Sequence, residues 1–164
     1  MKELDFLNRL KKEKKLELVE PSEEIKESHL KKAEDCLKSA KILLANKLYE
    51  NSTSEAYYCI YNSLLALFFK TGIKSENHSA SIILFENLFG DKELTEIVKF
   101  AKTERIDKQY YVEAEQISKA TEKSCDEMVH KAENFLVKMK VLISNLTNDK
   151  VIDARKQFNG LFLQ

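Results

Sequence analysis

Residues 54–72, SEAYYCIYNSLLALFFKTG, place apolar side chains on nearly every side of a helix. A helix that is apolar all round has no face to give to water, so it belongs at the centre of a packed domain. Its one relief is a small and polar strip, Glu55, Cys59, Asn62, Ser63 and Ala66, where another helix or a second subunit can approach closely. Those polar side chains also argue for a buried helix over a membrane span. Gly72 stands where a left-handed residue would stop the helix.

Upstream, Pro21-Ser22 gives a helix start, with Ser22 as N-cap and Glu23 and Glu24 in the first turn, where the helix dipole favours them. Ala33, Cys36, Leu37, Ala40, Leu43, Leu44 and Leu48 then step by three and four, one apolar stripe ending in the polar stretch Glu50 to Thr53. Downstream, the loop IKSENHS (73–79) leads into a short helix, SASIILFENLF (79–89), that stops near Gly90. Asp91 is placed to cap the next helix, whose apolar face is Leu94, Ile97, Val98 and Ala101. TERIDKQYYVEAEQIS (103–118) lacks clear periodicity and reads as a helix end plus a connection. A long helix follows from about Ser118 to Leu146, and DKVIDARKQFNGLF (149–162) supplies one more short helix. The pattern predicts an all-α chain with three parts: a charged amphipathic appendage over 1–20, a helical domain over 21–147, and a C-terminal helical segment over 148–164.

Composition agrees. Three glycines and one proline in 164 residues fall far below the usual ~7% and ~5%, which favours long helices and short connections. Twenty-seven basic residues balance twenty-seven acidic ones, so no global field would hold nucleic acid, and any such binding must come from a local patch. Cys36, Cys59 and Cys125 are far apart and suit reduced thiols, not a disulfide framework or a zinc site. No stretch resembles a signal peptide or a membrane span, which makes the cytoplasm the expected compartment. Walker, G-x-S-x-G and G-x-G-x-x-G patterns are absent from the sequence, and neither a cofactor nor a metal is expected.

Two segments could carry chemistry. In the first, Lys74, Asn77 and His78 lie just ahead of a helix N-terminus, whose free amides and dipole attract a phosphate. A purely local role competes: Asn77 or Ser79 caps the helix and His78 packs beside it. The second, Arg105 to Tyr111 flanked by Lys99 and Lys102, sets a guanidinium beside Tyr110 and Tyr111, a mixture suited to phosphates and stacked bases. There the competing role is a core-sealing Tyr110 with Arg105 paired to Glu104 or Asp107. Tyr57, Tyr58 and Tyr61 are expected to be core residues with internal hydroxyl partners, and His29 and His130 to be surface residues.

The order AEDCLKSAKILL (33–44), SEAYYCIYNSLLALFFKTGI (54–73), ENHS (76–79) and ERIDKQYYV (104–112) before a long final helix resembles the HEPN domain family, over about Ser22 to Leu146. The resemblance implies an up-and-down bundle of four to five core helices that commonly forms a homodimer. It also implies a minimal nucleotidyltransferase partner in toxin–antitoxin pairs and a nucleotide or RNA ligand. Catalytic members cleave RNA without a metal, using an arginine followed, after four to six residues, by a histidine. Here His78 matches the histidine, but Thr71, Gly72 and Ile73 stand where the arginine belongs, and Lys74 is too close to replace it. A second branch carries Arg-x-x-Ala-Asp-Tyr; Arg105 and Tyr110 match it, while Lys108 and Gln109 replace Ala-Asp.

The sequence therefore predicts a nucleotide- or RNA-binding protein rather than an efficient ribonuclease. Two alternatives are a metal-independent ribonuclease toxin using His78, and a non-catalytic dimerising interaction module docking through the central-helix strip or through Phe158 and Phe162.

Overall fold

The computed structural model of the protein describes residues 2–110 and 120–162; of residues 106–110 it describes the backbone alone. Among the described residues the elements run α1 (Lys2–Lys12), β1 (Leu16–Leu18), α2 (Glu23–Ala45), α3 (Tyr49–Thr71), β2 (Ile73–Ser75), α4 (His78–Phe89), α5 (Lys92–Tyr110), α6 (Glu122–Ser144) and α7 (Asn148–Gly160). The all-α expectation holds, with one small addition: β1 and β2 pair antiparallel, Leu16 opposite Ser75 and Leu18 opposite Ile73. No helix among the described residues is long and apolar enough to cross a membrane.

Helix α3 is the axis. It packs most extensively on α2, then on α6 and α5, and buries Ile60, Leu64, Leu67 and Phe68 completely. Each such side chain removed from water contributes roughly 1.5–3 kcal/mol before entropy is counted. The small and polar strip is filled from within the chain: α6 comes close enough for the Cys59 thiol to point at the Ala132 carbonyl at 3.8 Å, and Asn62 meets His29 of α2. His29 is therefore no free surface residue; it is half-buried and stacks on Phe69 at 5.3 Å. His130 is exposed, as expected.

The start signals act where the sequence put them. Ser22 accepts from the Ile25 amide at 3.1 Å and Asp91 from the Leu94 amide at 2.9 Å, while Gly72 and Gly90 end α3 and α4 in the left-handed conformation. Three boundaries differ. The polar stretch Glu50 to Thr53 is helical, because Lys47 at φ 61° turns the chain within three residues and Ser52 sinks its hydroxyl onto the Ala40 carbonyl at 2.7 Å. Asn77, not Ser79, caps α4, so His78 is its first residue. Helix α6 starts at Glu122 behind a Thr121–Ser124 capping box; Ser118 lies outside the described residues.

The N-terminal elements share the core: Leu7, Leu10 and Leu16 are all buried in it, while Lys2, Glu3, Asp5, Arg9 and Lys12 to Lys15 face solvent. At the junction of β1, β2 and α3 sits Gly72, with φ +69°; a Cβ there would collide with Arg155 Nη1 and the Val19 carbonyl and stand 3.0 Å from Pro21 Cδ. The left-handed penalty and the overpacking add up, so Gly72→Ala is expected to lower the unfolding free energy by about 2–5 kcal/mol. Urea unfolding followed by circular dichroism reads this as a lower midpoint at unchanged slope.

Candidate functional site

On α3, Tyr57 and Tyr61 lie one turn apart on one face, with Tyr58 rotated from it toward α5. The N-terminus of α4 is brought against that face. Asn77 holds the turn by accepting from the Ala80 amide at 3.0 Å, and behind it Ser81 Oγ donates to Ser75 Oγ at 2.8 Å, tying α4 to β2. His78, at the first position of α4, stacks on Tyr61 with centroids 3.8 Å apart and bonds the Tyr57 hydroxyl through Nδ1.

Helix α5 closes the site from the other side. The Arg105 guanidinium carbon lies 4.9 Å from the ring centres of both Tyr57 and Tyr58, and Nη2 donates to the Tyr58 hydroxyl at 2.9 Å. Both ring faces attract the cation. Its Nε is buried without a hydrogen-bond partner among the described residues. One turn earlier, Lys102 Nζ donates to Ser79 Oγ at 2.6 Å, on the opening turn of α4. Two cations and a histidine thus surround one helix N-terminus.

Of the residues expected from sequence, the structure brings Asn77, His78 and Arg105 together. Lys74 is spent elsewhere: on β2 it pairs with Glu76 at 2.7 Å. The side chain of Tyr110 and all of Tyr111 lie outside the described residues. Of the three tyrosines assigned to the core, Tyr57 and Tyr61 are buried in it and Tyr58 is half-buried against it, yet they also form the floor of the site. Their i, i+4 spacing was the available signal; periodicity alone cannot tell a tyrosine that faces a leucine from one that faces a histidine. Lys102 was visible only as a flanking charge. No group of three or more potential metal ligands occurs among the described residues.

Burial pushes the Tyr57 phenol up to about 12, with Arg105 opposing and Tyr61 reinforcing the rise, so the phenol keeps its proton. With the protonated Tyr57 phenol as the donor to Nδ1, His78 carries its proton on Nε2 and presents a donor where a general base would need a lone pair. Burial lowers the His78 pKa, and the charges of Arg105 and then Lys102 lower it further.

The HEPN domain family model matches residues 26–142. A protein of Methanocaldococcus jannaschii named "Putative toxin" is 28% identical over 115 residues, covering 70% of this chain and 85% of that protein. The family match takes in α3, α4 and α5, the helices that build the site, and leaves out α1, β1 and α7.

Because the folded site refuses a proton that the unfolded chain accepts below ~6.5, the His78 contribution to stability is complete above that pH and is lost as pH falls toward the lower folded value. His78→Gln should flatten the stability profile through that window, measured by urea unfolding at a series of pH values. Long-range 15N–1H spectra at neutral pH should show His78 as the Nε2–H tautomer.

Proposed function

The chain belongs to the HEPN domain family, and on that premise we propose that it grips a phosphate of a nucleotide or single-stranded RNA at the opening turn of α4. The observation that carries this reading is the convergence of Arg105 and Lys102 with His78 at that helix N-terminus. The helix dipole and the two cations supply the charge. The neutral His78 supplies an N–H, and Tyr58 offers a ring beside the guanidinium on which a base could stack. With no net charge on the chain, affinity rests on this cluster alone, so few phosphates are engaged. The toxin-named relative supports a toxin-type role, and the family resemblance adds the expectation of a minimal nucleotidyltransferase partner in a toxin–antitoxin pair and of a homodimer.

A metal-independent ribonuclease remains the second reading, favoured by a histidine that is uncharged at neutral pH beside two cations. It requires the other tautomer, because removing a 2'-hydroxyl proton needs a free nitrogen lone pair. Incubation of a generic RNA with chelator present distinguishes the two: cleavage by the wild type that His78→Ala abolishes selects the ribonuclease.

For binding, Arg105→Ala is expected to weaken the complex with a short single-stranded RNA by about tenfold or more, since a charge-assisted contact is worth about 1.5–3 kcal/mol. Two phosphate contacts give a slope of log affinity against log salt near −1.4, at about −0.7 per phosphate. Fluorescence anisotropy at 50 and 200 mM salt reads both, with a nucleoside triphosphate as the mononucleotide probe. Wild-type protein that binds neither probe at low salt, or an Arg105→Ala variant that binds equally well, overturns the proposal.

A further inference from the structure

Arg155, in the middle of α7, spends one end of its guanidinium on three backbone carbonyls. Nη1 reaches the Val19 carbonyl at 2.7 Å, the Gly72 carbonyl at 2.9 Å and the Thr71 carbonyl at 3.1 Å. Two of these belong to the C-terminal end of α3, where the helix dipole leaves partial negative charge and unbonded carbonyls, so a cation is favoured there. The third is the residue after β1. One side chain therefore joins four elements: α7, the end of α3, and the two strands that leave from this junction.

From the junction the constraint runs six residues to the site. Gly72 also accepts from the Val19 amide at 2.9 Å, and β2 follows at once, held along its length by β1. At the far end of the pair the Glu76 amide donates to the Lys15 carbonyl at 2.9 Å. Ser75 is bound by Ser81, Asn77 caps α4, and His78 comes next. Between α3 and His78 no residue is left without a backbone or side-chain tie to the strand pair or to α4. The lack of a side chain at Gly72 is what lets Arg155 in, because a Cβ there would occupy its place.

We infer that Arg155 is a positioning residue for His78: it locks the Gly72 turn, and through the β1–β2 pair it fixes the segment that sets His78 against Tyr57 and Tyr61. Both Arg155 and Val19 lie outside the residues matched to the family, so the clamp is built from this chain's terminal elements and acts on a site carried by the shared ones. It rests on the proposed phosphate site only for its purpose, not for its geometry. His78 is faced by Tyr57 and Tyr61 of α3 and by Arg105 and Lys102 of α5, and its position among them is what the clamp holds.

The test follows the His78 ring proton through a pH titration by NMR, with exposed His130 as internal control, in wild type, Arg155→Met and Arg155→Lys. Methionine keeps much of the stem and removes every donor. Released from its packed position, His78 in Arg155→Met is expected to titrate closer to the ordinary ~6.5, and RNA affinity to fall about fivefold, while His130 does not move. Lysine, a point donor that cannot span three carbonyls, shifts His78 the same way by less. Should Arg155→Met fail to fold, the lysine variant decides alone. An unmoved His78 midpoint together with a lower unfolding temperature makes Arg155 a cap of α3 and nothing more, and overturns the inference. A shifted midpoint in a protein whose wild type binds no RNA supports the clamp and removes the RNA reading instead.

Discussion

A helix buried over most of its surface must find partners for its polar groups, and α3 satisfies several of them within itself. Ser63 returns its hydroxyl to the Cys59 carbonyl, Asn62 its amide to Tyr58, and Thr71 its hydroxyl to Leu67 and Phe68. These bonds within the helix leave its outer surface apolar or small. That lets α2, α5 and α6 close on it with few unpaired groups left behind, among the described residues Thr53 Oγ1 and Arg105 Nε. The remainder of the fold is arranged around this single fact. Leu7 and Leu10 of α1 and Leu16 of β1 join the core, as does Phe158 of α7.

The site sits where that economy is broken. Ser52 and Asn62 already reach across to α2, and Tyr57, Tyr58 and Tyr61 each find a partner outside α3 as well: Tyr57 on His78, Tyr58 on Arg105, Tyr61 facing Ser81 at 3.5 Å. Rings that would otherwise be core become a platform holding a cation and an imidazole side by side. In such half-buried surroundings the interactions are stronger than at a water-exposed surface, which is why a chain with no net charge can still present a local positive site. The same surroundings lower the imidazole's pKa and keep it uncharged beside two cations.

The extra elements at the two ends of the chain are tied to the site by backbone geometry. Arg155 meets the end of α3 through carbonyls, not through a side chain that could be exchanged, and the one residue that must give way for it is a glycine in the left-handed region. A family-wide bundle supplies the platform; the strand pair and the last helix hold the loop that completes it. The terminal elements take part in the same core, through Leu7, Leu10, Leu16 and Phe158.

What the sequence by itself determined was local. Apolar periodicity placed every core helix, and the caps at Ser22 and Asp91 and the stops at Gly72 and Gly90 could be named because each depends on residues within one turn. The loop histidine and Arg105 were legible as candidates because a charge near a helix end is a local pattern too. Tertiary structure alone decided that Lys74 pairs with Glu76, that Lys102 crosses to Ser79, that His29 packs on Phe69, and that the tyrosines point at His78 rather than at leucines. It also decided the strand pair, since three residues of LEL have no pattern of their own and become a strand only when IKS lies beside them. Apart from the Lys74–Glu76 pair, these are contacts across more than ten residues of chain, and a sequence pattern carries no distance between elements until packing has set it.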